Sequence, residues 1–545
     1  MTQRRQLLPL SFVIAAACAA CGESPPSPAE TASFAPQTDD AAPSAALPKP
    51  TRAPSRDAIA GWLRGEIDAA FATAHAESKP VLLYWGAEWC PYCADLEAHV
   101  FSRDDVARKL SLLVPVYLDG DDAGAQRWAE IFGVAGYPTV LALAPDRTEL
   151  ARIAGGMPLE VYAEMLDLVL GDVRPLDDVL AAARSARLSE NDCRRLAYNG
   201  WGLEDASDER ALELAAALEK AADACAGHMP VESARLTVAA AAFAVQSTAE
   251  SPDAIAWQRR LVRGVREIVT DPERSVAIAD ALRELGDEYF SAAKTLEPEH
   301  TRDLLEAWTH TMDEAARDAR FSPGDRLAAL RSKMQAFSAL DPTGVPASLA
   351  ADARRAVDET LGEVGASPAR RGAVNGAINL LVALGDIESA YAIAENELAS
   401  SRTPYYHMAD LAWLDEMMGR YGAAIAWLER AYRASSGPAT RFQWGVNWVR
   451  GLLRMFPEDE AAIRDAALDV LGELEGPDKI YRRTRARLET LDESLREWAA
   501  EPGRDDTLDA LRRRMSSICD GIPEHENDAL ASCKAFLAVG AQHDA

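Results

Sequence analysis

Past its first residues the sequence holds no apolar run of the ~20 residues that a membrane-spanning helix requires. It also lacks positive charge: 57 Lys and Arg stand against 86 Asp and Glu, a formal net charge of -29. Such a chain repels phosphate backbones and anionic lipid, which argues against nucleic acid as a partner. Histidine is scarce, at 8 of 545 residues, and no second Cys-x-x-Cys or pair of histidines accompanies Cys90-x-x-Cys93 in the body of the chain. A structural zinc site draws its four ligands from such groups, so no metal and no cofactor is expected. Strand-type runs nearly vanish after about Arg174. The 545 residues exceed what a single hydrophobic core usually serves, so more than one domain is expected.

The N-terminal residues have a pattern of their own. Arg4 and Arg5 precede an apolar run from Leu7 to Ala17, and small residues continue to Cys21. This is the layout of a secretory signal peptide over residues 1–21, set aside from fold reasoning. Cys18 and Cys21 each resemble the acylated cysteine of a bacterial lipoprotein. Cys21, followed by Gly22, is the expected lipidation site, and a cleaved leader without lipid is the alternative. The expected compartment is the periplasm, with a lipid anchor to the membrane through Cys21. Residues 22–56 are rich in Pro, Ser, Ala and Thr and too poor in large apolar residues to offset the entropy of ordering, so they read as a disordered linker.

From residue 57 the pattern changes to alternating strands and helices. Ile59, Trp62, Leu63, Ile67, Ala70 and Phe71 recur at helical spacing, and Pro80 ends that stretch. Val81 to Trp85 is a short apolar run of strand type, buried on both faces. A helix follows from Pro91, a strand over Leu112–Leu118, a helix over Ala125–Phe132, strands over Thr139–Ala144 and Glu149–Ala154, and a helix over Pro158–Leu170. The whole predicts one compact α/β domain over residues 57–172. Residues 173–545 predict an all-α domain. Within it Leu384-Gly385 matches Met418-Gly419, Pro404 matches Pro438 and Ala390 matches Ala424, each pair 34 residues apart. That is the period of tetratricopeptide repeats, so a TPR-like solenoid of helix pairs is expected around 372–440.

Cys90-Pro91-Tyr92-Cys93 directly follows the first apolar strand and opens a helix. A helix N-terminus carries unpaired N–H groups and positive partial charge, which favour a thiolate there. The i, i+3 spacing brings both sulfurs onto one turn, and Pro91 suits a position whose N–H has no helical acceptor. Cys90 is therefore the expected nucleophile and Cys93 the resolving thiol of a redox-active disulfide.

The run from Lys79 through Trp89-Cys90-Pro91-Tyr92-Cys93 resembles the strand and active-site turn of the thioredoxin superfamily, and Gly136-Tyr137-Pro138-Thr139 resembles its cis-proline loop. Among its members the periplasmic thioredoxin-like domains, including the C-terminal domain of the electron-transfer protein DsbD, are the most similar in pattern. The resemblance implies a thioredoxin-like fold and disulfide exchange with protein thiols and disulfides, served by an unidentified redox partner such as a DsbD-like electron donor. It implies that Trp89, Tyr137, Pro138 and Gly155 bind substrate, with Pro138 cis and facing Cys90. One departure is Tyr84, six residues before Cys90, where thioredoxins carry a buried Asp; Glu88 or Glu97 are the candidates to replace its proton-accepting role.

The remaining cysteines, Cys193, Cys225, Cys519 and Cys533, form an even set in an exported chain and read as structural disulfides, Cys193 with Cys225 and Cys519 with Cys533. Four cysteines permit three connectivities. The function expected is an exported thiol-disulfide oxidoreductase whose helical domain binds a client or partner. An envelope scaffold with a non-essential redox domain is the alternative, and metallochaperone activity, with His99 joining Cys90 and Cys93, is a third.

Overall fold

The computed structural model describes residues 59, 61–134, 136–153, 159–171, 174–184, 187–201, 208–246, 252–476, 479–523 and 526–538. The expected signal peptide with Cys18 and Cys21, the linker over 22–56 and Gly155 lie outside the described residues. The chain divides into two compact units, whose described parts lie within Pro54–Ile393 and Ala394–Ala545. No helix among the described residues is long and apolar enough to cross a membrane.

The first unit begins with an α/β fold. Its elements are β1 (Leu63–Arg64), α1 (Ile67–Glu77), β2 (Val81–Gly86), α2 (Pro91–Leu96), α3 (Asp104–Leu110), β3 (Val114–Asp119), α4 (Ala123–Ile131), β4 (Thr139–Leu143), β5 (Glu149–Ile153) and α5 (Leu159–Val169). The five strands run in the order β1-β3-β2-β4-β5. Central β2 pairs parallel with β3 and antiparallel with β4, and every one of its residues is buried, as its unbroken apolar run requires. The helix expected from Ile59 starts only at Ile67. Leu63 and Arg64 instead pair with Val116 and Tyr117 of β3. Gly65, at φ +69°, then turns the chain into α1, so tertiary pairing overrides the helical spacing before it.

Among the described residues, helices follow with no further strand. In the first unit they are α6 (Leu176–Ala183), α7 (Glu190–Ala197), α8 (Asp208–Cys225), α9 (Pro230–Val245), α10 (Pro252–Val269), α11 (Pro272–Ala277), α12 (Ala279–Leu282), α13 (Gly286–Leu296), α14 (Thr301–Arg317), α15 (Pro323–Leu340), α16 (Ala347–Val364) and α17 (Arg370–Ala383). Helix α18 (Ile387–Leu398) spans the division, and α19 (Pro404–Met417), α20 (Tyr421–Ala434), α21 (Pro438–Met455), α22 (Glu460–Leu471), α23 (Arg482–Trp498), α24 (Asp505–Cys519) and α25 (Asn527–Ala535) form the second unit. Helices α17, α19 and α21 start 34 residues apart, at 370, 404 and 438, and Gly385 and Gly419 take φ +70° and +73° between paired helices.

Helices α6 to α15 share one core, with Trp308, Tyr289 and Phe290 at its centre. The Cys193–Cys225 bond ties α7 to the end of α8, and Cys519–Cys533 ties α24 to α25 in the second unit. Arg235 is held within the first core by a bidentate pair to Asp280, at 2.7 and 2.8 Å. The open edge of β5 is closed by the segment around α7. Asn199 Oδ1 accepts from the Arg152 amide, and the buried Arg195 donates to the Leu150 carbonyl through Nε and Nη2. An exposed strand edge is thereby capped by helical side chains, and the α/β fold is fixed to the helices that follow it. Replacing Arg195 by Met removes these charged donors while keeping much of the volume. It should lower stability of the full chain by about 1.5–3 kcal/mol, read as a shift of the urea midpoint.

Candidate active site

Strand β2 ends at Gly86, and the next residues turn the chain so that Cys90 caps α2 in extended conformation, φ -77° and ψ 117°. Its sulfur accepts a hydrogen bond from the Cys93 amide at 3.2 Å, and Pro91 fills the first helical position. After six residues α2 loosens into a π turn over Glu97–Phe101, a distortion frequent at functional sites. Cys90 and Cys93 are not bonded to each other here and form a dithiol.

The loop before β4 meets this turn. The Tyr137–Pro138 bond is cis, and the Cys90 thiol donates to the Tyr137 carbonyl at 3.6 Å. Tyr137 is held from behind. Gln126 Nε2 donates to its hydroxyl at 2.6 Å, the hydroxyl donates to the Gly120 carbonyl at 3.2 Å, and its ring lies 6.1 Å from that of Trp89. A Cβ on Gly120 would stand 2.3 Å from the Tyr137 ring, so only glycine fits there. Trp89 Nε1 in turn reaches Asp121 Oδ1 at 3.5 Å. Thus Trp89, Cys90, Cys93, Tyr137 and Pro138 converge at one end of the sheet. Gly120, Asp121 and Gln126, which hold them, were not singled out in the sequence. The turn-forming Asp119-Gly120-Asp121-Asp122 after the β3 strand was the available signal, since it ends at the same sheet edge as β2.

Beneath the dithiol lies Tyr84, packed among Trp62, Phe101 and Tyr117. Its hydroxyl donates to Glu97 Oε1 at 3.0 Å. Burial raises the Tyr84 pKa well above its usual value, and the charges of Cys93 and Glu97 push the same way. The Cys93 thiol is raised well above its usual range too, first by burial, then by its hydrogen bond to and the charge of Cys90, with Glu97 adding to the rise. Of the two acids considered for the missing Asp, Glu97 is therefore the one in the field of Cys93. Glu88 lies in the turn before Cys90, where its backbone carbonyl accepts from Arg371. His99 points along α2, its Nε2 4.0 Å from Asp95 Oδ1. Among the described residues no group of three or more His, Cys, Asp or Glu is placed to hold a metal. Cys193, Cys225, Cys519 and Cys533 are committed to their own bonds.

The model of a thioredoxin-like domain matches residues 67–170, so an α/β domain of that kind is followed by a long all-helical region. The thiol:disulfide interchange protein DsbD of Yersinia pestis (strain Pestoides F) is 33% identical over 97 residues, 17% of this chain and 16% of that protein. DsbD 2 of Pseudomonas aeruginosa is 33% identical over 86 residues, 15% of each. The chain thus spans about a sixth of the length of the relatives it matches. A thioredoxin from Thermus thermophilus, solved in solution, is 28% identical over 20% of this chain and 86% of that one, with a TM-score of 0.19.

The raised Cys93 pKa has two measurable consequences. The folded dithiol keeps its proton at a pH where the unfolded chain has released it, so its contribution to stability is present below about pH 8.5 and is lost as pH rises through the folded value. The reduced chain should therefore lose stability above about pH 8.5, and Cys93→Ser should lose less over the same range. In a Cys90→Ser chain, Glu97→Gln should move the midpoint of Cys93 alkylation to lower pH, because a carboxylate no longer opposes the thiolate. An unmoved or higher midpoint would place Glu97 outside the site.

Proposed function

We propose, from the thioredoxin-like domain over residues 67–170, that this chain is a thiol-disulfide oxidoreductase of the bacterial periplasm acting on protein thiols and disulfides. The observation that carries the reading is the Cys90 sulfur, which caps α2 3.2 Å from the Cys93 amide and faces the Tyr137 carbonyl of the cis-proline loop. Neither a structural disulfide nor a metal ligand needs a carbonyl of extended backbone beside its sulfur. A substrate disulfide does, because its flanking chain pairs with such a carbonyl as an added strand.

The exchange runs in two displacements. The Cys90 thiolate attacks one sulfur of the substrate disulfide, forming a mixed disulfide and releasing the other substrate sulfur as a thiolate, which takes up a proton. Cys93 then gives up its proton, and its thiolate attacks Cys90 Sγ. The mixed disulfide breaks, the second substrate thiol leaves, and the Cys90–Cys93 disulfide remains. The substrate gains two electrons and the dithiol loses them, to be restored by a dithiol partner such as a DsbD-like electron donor. Glu97, which accepts a hydrogen bond from Tyr84 and lies in the field of Cys93, is the acceptor of the Cys93 proton in place of a buried Asp. Trp89, Tyr137 and Pro138 line the docking surface; Gly155, the fourth residue expected there, lies outside the described residues. Transfer in the reverse direction uses the same residues.

The test is to equilibrate the full chain with glutathione or dithiothreitol and read the Cys90–Cys93 couple. A potential near about -270 mV marks a reductant and one near about -120 mV an oxidant of folding proteins. Cys90→Ser should abolish exchange, and Cys93→Ser should trap the mixed disulfide. Failure of the folded, accessible pair to exchange at all would leave the scaffold alternative in its place.

A further inference from the structure

A helix packed on one face leaves its opposite face to solvent. On α2 and its π turn the outward residues are Tyr92, Asp95 and His99, and in this chain α17 packs along that face while the N-terminal end of α15 meets it at Asp95. The Asp95 carboxyl enters a slot built by glycines. A Cβ on Gly372 would sit 2.2 Å from Asp95 Oδ2, and one on Gly324 would meet the Gly372 carbonyl at 2.8 Å and Asp95 Oδ2 at 3.0 Å. One turn further, a Cβ on Gly376 would meet the Gly324 carbonyl at 3.0 Å. Two helix backbones thus cross in contact, with a carboxyl of the redox helix wedged beside them.

Polar contacts lock the joint. Ser322, the N-cap of α15, donates through Oγ to Asp95 Oδ2 at 3.1 Å, while Oδ1 is buried with no hydrogen-bond partner. Burial, together with nearby Asp325, raises the Asp95 pKa well above the carboxylate range, which favours the neutral form that such a slot accepts. Arg283 holds α15 in turn, donating to Asp325 Oδ1 at 2.6 Å. Arg371, on α17, donates through Nη1 to the Glu88 carbonyl, two residues before the nucleophile. Asn375, one turn on, hydrogen-bonds the Tyr92 side chain. The result is a helical flank running beside the dithiol from Glu88 to His99. Within the turn Tyr92 is 48% exposed, whereas Trp89, Cys90, Cys93 and Tyr137 show 7% or less.

We infer that α15 and α17 form a built-in wall of the dithiol site that selects its substrates: a disulfide on a small molecule or on an extended segment reaches Cys90, and one on a convex folded surface is held off. The inference rests on the oxidoreductase reading and deepens it by naming the substrate class. It also gives the helical region a direct part in the exchange site, beyond holding a client at a distance.

The experiment compares oxidised glutathione with insulin as electron acceptors for the full-length reduced chain. Gly372→Leu drives side-chain atoms into the Asp95 slot and pushes the wall from α2. Arg371→Ala removes the contact to the Glu88 carbonyl and adds no bulk, which covers the case in which Gly372→Leu does not fold. The rate with insulin should rise by about tenfold in Gly372→Leu and by a smaller factor in Arg371→Ala, while the rate with glutathione changes by less than about threefold. Rates that move together, or that stay unchanged in a folded variant, overturn the wall. Absence of any reaction with glutathione removes the oxidoreductase reading instead. The wall is then judged by alkylation of Cys90 with iodoacetamide against a polyethylene-glycol maleimide: a selective gain for the bulky reagent in the variants supports it, and parallel rates overturn it.

Discussion

The hydrogen bond from the Cys93 amide to the Cys90 sulfur depends on where β2 stops. Strand β2 is the middle of the sheet, clamped between β3 and β4 and buried along its whole length, so its end is a fixed point. A helix begun five residues past that end presents its unpaired amides at the sheet edge, and the side chain in the N-cap position receives them. The β4 strand, antiparallel to β2, brings the Tyr137 carbonyl to the same edge. Two thiols three residues apart become a site because the sheet registers these segments against each other.

The polar groups behind the thiols follow from the same burial. A thiol enclosed at the base of a helix is costly to ionise, and nearby negative charge adds to that cost. Tyr84 and Glu97 occupy this space together, a phenol and a carboxylate joined by one hydrogen bond. The carboxylate sits on the π turn of α2 and not on the strand, and its charge reaches Cys93. The aromatic ring fills the position on the strand and packs with Trp62, Phe101 and Tyr117.

The helical region is anchored to the α/β fold at two places with different chemistry. At β5, Arg195 and Asn199 satisfy backbone groups that an edge strand would otherwise show to water. At α2, glycines remove side chains so that backbones meet, and one carboxyl fills the remaining slot. Both joints lie within the first compact unit, so the 34-residue periodicity that begins at α17 starts in the unit that also holds the dithiol.

Much of the α/β fold and the heart of the site were legible locally. The unbroken apolar run of Val81 to Trp85, the Cys-Pro-Tyr-Cys turn after it and the Tyr137-Pro138 pair are short-range signals, since each depends on a few adjacent residues. The first helix was misplaced because Leu63 and Arg64 gain more from pairing with β3 than their helical spacing suggests, and that partner is some fifty residues away. Gly120, Asp121 and Gln126 looked like an ordinary turn and helix start until folding set them behind Tyr137 and Trp89. Asp95, Gly324 and Gly372 carry no local pattern at all, for they become a joint only when chain segments more than two hundred residues apart cross. The sequence by itself determined the dithiol, its strand and its loop, because hydrophobic periodicity and helix-end chemistry act between neighbours. Tertiary structure alone decided which acid stands by Cys93 and what flanks Cys90, because burial and close approach are properties of segments that meet only in the folded chain.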